Sequence, residues 1–289
     1  MNNILITGSK GQLGNEIKKL SPKYSEYNFI FTDVGELDIT NFDAIDDFFY
    51  KNNINFLINC AAYNAVDKAE ENPDTAELIN ATAVKYLSKL SKKYNAFYIH
   101  ISTDYVFEGT NHKPYIETDK PKPLSKYALS KLHGEQEALN NNDKSIVFRT
   151  SWLYSEFGNN FVKTMMKLGK ERDELRVIFD QIGTPTYAND LAKAILNIIP
   201  QTSKLTKPEL YHYSNEGVAS WYDFTKAIIE ISKENCNVLP IETKDYPLPA
   251  ARPFYSVMSK AKIKKDFDIE IPHWRESLVR CIKRLEEME

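Results

Sequence analysis

Glycine is scarce in this chain, at 10 of 289 residues, half the roughly 7% of average proteins. That scarcity excludes collagen-like, Gly/Ser-linker and other low-complexity organisation. Cysteine is scarcer still: Cys60, Cys236 and Cys281 are odd in number, far apart and without CxxC spacing. Neither a disulfide framework nor a zinc site is expected from them, only buried or inert thiols. The five histidines, His100, His112, His133, His212 and His273, show no ligand spacing and read as packing or surface residues, so no metal site is expected. No run of about 18 uncharged apolar residues exists to cross a bilayer. The opening MNNILITGSKG is interrupted by Gly and Lys where a signal peptide needs an apolar stretch. A cytoplasmic protein with no membrane partner is expected. Net charge is only −3 and the pI is near 6.0, which leaves no basic face for a phosphate backbone, so nucleic acid is not an expected partner.

What is present is an alternation of short apolar runs with amphipathic segments. Asn3 to Thr7, Asn28 to Asp33, Asn55 to Cys60, Ala96 to Ser102 and Ser145 to Thr150 read as buried strands. Helical patterns fill the gaps at Gln12 to Leu20, Phe42 to Asn52, Thr75 to Tyr94 and Lys126 to Asn140. Successive strand–helix–strand units with right-handed crossovers predict an α/β fold, a Rossmann-type doubly wound parallel sheet. After Thr150 the alternation loosens, with helices expected at Asn160 to Lys170, Asn189 to Ile199, Trp221 to Lys233 and Trp274 to Glu287, separated by Pro-bearing turns. Residues 1–150 therefore read as a dinucleotide-binding domain. Residues 151–289 read as a smaller C-terminal α/β substrate-binding region that interleaves with it or closes over its carboxyl edge.

Three of the ten glycines, Gly8, Gly11 and Gly14, fall within seven residues, directly after the first strand and at the start of the first helix. A pyrophosphate binds at such a place, because backbone N–H groups approach it closely and the helix dipole favours its charge. The spacing differs from GxGxxG, and no GK[ST] follows as in a P-loop. Asp33 ends the second strand 19 positions after Gly14, where an acidic residue accepts hydrogen bonds from the adenosine ribose. Alternatively, Asp33 caps a turn. Lys10 inside the loop can pair with a 2′-phosphate, so the sequence leaves NADH and NADPH both open.

The YxxxK spacing occurs twice, at Tyr127–Lys131 and Tyr222–Lys226. Residues four apart on a helix share a face, and position separates the two pairs. Tyr127 opens the helix between the fourth and fifth strands, whereas Tyr222 lies beside Trp221 and Phe224, which read as core. A phenol titrates near pH 10, and Lys131 is the expected cation that lowers this. Thr103, at the end of its strand, can hydrogen-bond a reacting carbonyl oxygen; the alternative is a strand-end hydroxyl satisfying backbone.

The TGxxGxxG loop, the Ser/Thr after the fourth strand and YxxxK together resemble the extended short-chain dehydrogenase/reductase family. The strings NCAAYNAVDKAE, LINATAV, ISTDYVFEG, FRTSWLYS, NNFVKTMMKLGKER, DQIGTPTYANDLA and the ARP of Ala251 to Pro253 resemble its dTDP-4-dehydrorhamnose reductase branch over nearly the whole chain. Several lie in the substrate half. The resemblance implies Gly11, Gln12 and Leu13 around the pyrophosphate, Asp33, Asp38 and Ile39 around the adenosine, and Ala62, Tyr63 and Asn64 along the cofactor. It implies Thr103, Asp104, Tyr105, Tyr127 and Trp152 around the nicotinamide and a 4-keto sugar, with Arg252 and the DQIGTPT loop toward the nucleotide. Trp152 has a core aromatic as its alternative, and Arg252 a surface ion pair.

The implied reaction is NAD(P)H-dependent reduction of a nucleotide-linked 4-keto-6-deoxyhexose, with Thr103, Tyr127 and Lys131 catalytic. Some relatives are described as magnesium-dependent dimers through glutamates. Glu16 matches one such position, but Asp190 stands where the second would fall and the terminal LEEME matches none. Magnesium is carried over only weakly, and a monomer or a homodimer is expected. Two other functions suit the same scaffold: nucleotide-sugar 4-epimerisation, and a non-catalytic role like that of the regulatory beta subunit of methionine adenosyltransferase. Retention of Thr103, Tyr127 and Lys131 argues against the last.

Overall fold

The computed structural model describes residues 1–288; the final position of the expected second region, Glu289, lies outside the described residues. Strands β1 (Asn2–Thr7), β2 (Tyr27–Phe31), β3 (Ile54–Asn59), β4 (Phe97–Thr103) and β5 (Ser145–Thr150) lie within one or two residues of their expected places. They pair in parallel in the order β2-β1-β3-β4-β5. Ile4, Leu5 and Ile6 are wholly buried, as a strand covered on both faces requires. A sixth strand that the sequence did not reveal, Glu209–His212, pairs with β5 and extends the sheet. The second half of the chain thus supplies an edge of the first half's sheet.

Helices cover both faces. Helix α1 (Gln12–Leu20) buries Leu13, Ile17 and Leu20, a stripe at i, i+4 and i+7 worth about 1.5–3 kcal/mol per fully buried aliphatic side chain. It packs with helix Ala188–Ile198 on one core. Helix α2 (Phe42–Asn52) and helices Ala83–Lys93 and Lys126–Asn141 cover the opposite face.

The single helix expected over Thr75 to Tyr94 is instead Pro73–Glu77, a π-helical turn at Leu78–Thr82, then Ala83–Lys93. The cause is a close crossing: a Cβ on Gly134 would fall 1.8 Å from the Asn80 carbonyl oxygen. Widening one turn lets that carbonyl lean onto the glycine, and π-turns of this kind collect at functional sites.

Helices Phe161–Glu171, Trp221–Ile231 and Trp274–Glu286 form the remaining layer with a parallel strand pair, Glu174–Ile178 and Asn237–Ile241. Among the described residues no helix is long and apolar enough to cross a membrane. The sheet order reverses direction between β1 and β3, so a crevice opens at their carboxyl ends, where ligands of open α/β sheets bind.

Candidate active site

The crevice is a cavity of about 450 Å³ whose wall includes Gly8, Gly11, Gln12 and Leu13 after β1, Ala62 and Asn64 after β3, and Thr103, Tyr127 and Lys131. The glycine loop is shaped by steric necessity. Gly8 sits at φ +63°, and a Cβ there would meet the Ala61 nitrogen at 2.6 Å; one on Gly14 would meet Ser9 Cα at 2.5 Å. The Gly11 N–H donates to the Gly8 carbonyl at 3.1 Å. Gly11 caps α1 with no side-chain acceptor, so the helix N-terminus offers its first N–H groups to a ligand. A cradle that any side chain would fill fits a pyrophosphate.

A neighbouring cavity of about 560 Å³ continues from the loop past Lys10, Asp33, Asp38, Ile39, Ala62 and Asn64. Here the Asp33 carboxylate accepts the Lys10 and Val34 N–H groups at 2.8 and 2.9 Å, so it caps the turn while facing the pocket. The Lys10 ammonium pairs with Glu36 at 2.8 Å, and Glu36 also accepts the Asp33 N–H. Asp38 holds Thr40. Two expected cofactor residues stand behind the walls. Gly14 lies beneath the loop against Ser9. The Tyr63 ring packs among Ala69, Ala76 and Tyr127, while its backbone N–H and carbonyl are held by the Asn80 amide at 2.8 and 3.0 Å.

Ser125 caps helix Lys126–Asn141 by accepting the Ala128 N–H, and so points Tyr127 and Lys131 at the end of β4. Tyr127 is buried, edge-on to Tyr105, with its phenol 3.5 Å from Asn64 Oδ1 and the Thr103 hydroxyl acting on it to favour the charged form. Thr103 donates to Asp104 at 3.1 Å, and burial pushes that carboxyl up to about 7. The Lys131 ammonium donates to the Ile101 carbonyl at 2.5 Å. Burial lowers it to about 8, opposed by Glu135 and Cys60.

The expectation that Lys131 lowers the phenol's pKa needs correction. Burial pushes Tyr127 up from its ordinary value, the Thr103 hydroxyl opposes this and Asp104 reinforces it, while Lys131 is turned to the strand. The phenol therefore carries its proton at neutral pH.

Trp152, with φ +45°, stacks on Trp221 with ring centroids 3.6 Å apart, and both line the cavity. Trp221 is half-buried rather than in the core as its sequence context suggested. A Cβ on Gly183 would lie 2.7 Å from the Trp152 ring, so the glycine makes room for the indole. Trp221 also walls a second cavity of about 650 Å³ with Phe161, Leu175, Gln181, Tyr246 and Arg252. Arg252 grips Asp67 with two hydrogen bonds of 3.0 and 2.7 Å and donates to the Ala250 carbonyl at 2.7 Å. It thus has an ion-pair partner and faces a cavity. Asp67, in the NCAAYNAVDKAE string, lies 185 positions away, so nothing local in the sequence linked it to Arg252.

Glu16 is buried beside Glu156, accepting from Ser155 and Asn189. Burial and the Glu156 carboxylate push Glu16 up to about 7. Glu156 binds Lys19, Arg284 and Tyr187, and Asp190 binds Arg280, Ser277 and Asn215. These carboxylates are engaged by cations and amides of their own chain. They do not fit a magnesium site, and among the described residues no trio of His, Cys, Asp or Glu is placed to hold a metal.

The chain matches the family model of the RmlD substrate binding domain over residues 1–287. It is 40% identical to a dTDP-4-dehydrorhamnose reductase of Aggregatibacter actinomycetemcomitans, over 96% of this chain and 97% of that one. A crystal structure of such a reductase from Clostridium acetobutylicum superposes with a TM-score of 0.93 at 43% identity, covering 98% and 99% of the two chains. One from Bacillus anthracis in complex with NADP superposes equally, with a TM-score of 0.93 at 39% identity over 98% and 100%.

Proposed function

The chain belongs to the dTDP-4-dehydrorhamnose reductase family, and we propose that it reduces the C4 keto group of dTDP-4-dehydro-L-rhamnose to give dTDP-L-rhamnose for surface polysaccharide. The observation that carries this reading is one cavity in which the glycine cradle, Thr103, Tyr127, Lys131 and Trp152 meet. A nicotinamide cofactor, when bound, supplies the hydride to C4.

The chain's own residues do the rest. The Gly8–Gly14 loop and the α1 N-terminus hold the pyrophosphate. Thr103 and Tyr127 converge on the carbonyl oxygen, which gains negative charge as C4 is reduced. Tyr127, protonated in this site, transfers its phenolic proton to that oxygen, and the Thr103 hydroxyl, which favours the charged form of the phenol, steadies the phenolate left behind. Lys131, as a cation, holds the nicotinamide ribose. The Trp152–Trp221 stack walls one side of the sugar, and the second cavity beside Arg252 takes the nucleotide. Both reduced cofactors suit the adenosine pocket: Asp33 can accept from ribose hydroxyls, and Lys10 can leave Glu36 for a 2′-phosphate. We place the enzyme in the cytoplasm, in keeping with its free cysteines, as a monomer or homodimer.

The test is an assay with the dTDP-4-keto sugar and NADH or NADPH, following loss of reduced-nicotinamide absorbance and identifying the product. Stoichiometric oxidation with formation of dTDP-L-rhamnose is expected. Interconversion of nucleotide sugars without net oxidation would instead indicate an epimerase and overturn the reading.

A further inference from the structure

Beneath Lys131 lies a buried ion pair that the reaction chemistry above does not use. Glu135, one turn further along the same helix, is 3% exposed, and Arg149 of β5 is 2% exposed. Glu135 Oε2 accepts from Arg149 Nε at 2.9 Å and from the Ser102 hydroxyl at 3.0 Å, while Oε1 takes the other arm of the guanidinium. Ser102 pairs with Arg149 across the sheet and directly precedes Thr103. Arg149 lies over the Phe107 ring and contacts His212 Nε2, whose Nδ1 faces the Tyr115 carbonyl. One carboxylate thus joins the helix of Tyr127 and Lys131 to the strand that ends in Thr103.

We propose that Glu135, held by Arg149, is a positioning residue for this reaction: it fixes the helix against β4 so that Tyr127 and Thr103 meet one carbonyl oxygen, and it keeps Lys131 cationic. A charge pair this deep is costly to bury, and a hydrophobic pair would fill the space; what the carboxylate adds is a directed bond to Ser102 and negative charge behind Lys131. The other groups facing Lys131 add no permanent charge. Cys60 at the end of β3 is pushed up to about 12 by burial, and His100 of β4 is pushed down by burial and by Lys131 itself. Asp104 acts on Tyr127, and His212 is held neutral by burial, down to about 3. Without Glu135 the cation loses its compensating charge and faces Arg149, which displaces its titration to lower pH.

The proposal rests on the reductase reading, so Tyr127→Phe is measured alongside. In Glu135→Gln, kcat is expected to fall about tenfold or more, with KM for the sugar and the NADPH Kd within about twofold, and the alkaline limb of kcat to move down by about one pH unit. Glu135→Asp should recover part of both. If Glu135→Gln does not fold, Glu135→Gln/Arg149→Met, which leaves no unpaired buried charge, is read on kcat and the same limb, and both should again fall. A folded variant with wild-type kcat and wild-type alkaline limb overturns the proposal. If Tyr127→Phe also turns over normally, the reductase mechanism itself has failed; if Tyr127→Phe is inactive, only the role of Glu135 has.

Discussion

The Trp152 indole lies flat on that of Trp221, with planes 8° from parallel, although 69 positions separate the two residues. Stacked aromatic faces contribute beyond their buried area. Trp221 touches both the reaction cavity and the cavity beside Arg252, so it stands where sugar and nucleotide join. Trp221→Ala is expected to raise KM for the nucleotide sugar about tenfold and to leave NADPH affinity nearly unchanged. Titration of both ligands by fluorescence or calorimetry checks this, and equal losses for both would refute it.

Tyr127→Phe removes the proton donor and little else, because the ring is held by Tyr105 and its neighbours. Turnover should fall by about 10²–10⁴-fold while the cofactor Kd stays within about twofold. Single-turnover kinetics on the variant distinguish lost chemistry from slow release.

Lys131 serves as a cation and is lowered to about 8. A lowered lysine loses its charge sooner as pH rises, so wild-type kcat should hold near neutrality and fall as pH passes through about 8. A flat profile up to about pH 10 would remove the lysine from the mechanism.

Glu36 and a 2′-phosphate compete for Lys10, whose ion pair with Glu36 is open to solvent. Glu36→Gln frees the ammonium and removes a negative charge from the ribose pocket. KM for NADPH should drop about threefold or more relative to that for NADH. Steady-state kinetics with both cofactors measure the ratio.

Glu16 is raised from 4.5 to about 7, so between these values the folded state keeps a proton that the unfolded chain releases. Stability from this group is lost as pH rises through that window. Glu16→Gln abolishes the titration, and its Tm relative to wild type should be higher at about pH 8 than at about pH 5. Thermal melts at the two pH values decide it.

Local order determined what the amino-acid sequence alone discloses. Buried β1 followed by Gly8, Gly11 and Gly14, and the four-residue step from Tyr127 to Lys131, are relations within one turn or one strand–helix junction, which sequence spacing encodes directly. The first five strands were legible for the same reason: each is a short apolar run between turns. Strand Glu209–His212 was not, because it carries one polar and one charged end and borrows its register from β5. The widened turn around Asn80 depended on the backbone of Gly134, 54 positions away.

Only the tertiary structure decided what each candidate faces. It turned Lys131 to the Ile101 carbonyl, paired Arg252 with Asp67, moved Trp221 from supposed core to cavity wall, and set Glu135 between Ser102 and Arg149. Each of these rests on contacts between segments far apart in the chain. The electrostatics follow the same rule: burial, which no residue shows by itself, raised the Tyr127 phenol and lowered the Lys131 ammonium. The sequence alone determined which chemistry the chain carries, through residue type and local spacing. The packing of distant segments determined the protonation states and partners through which that chemistry can run.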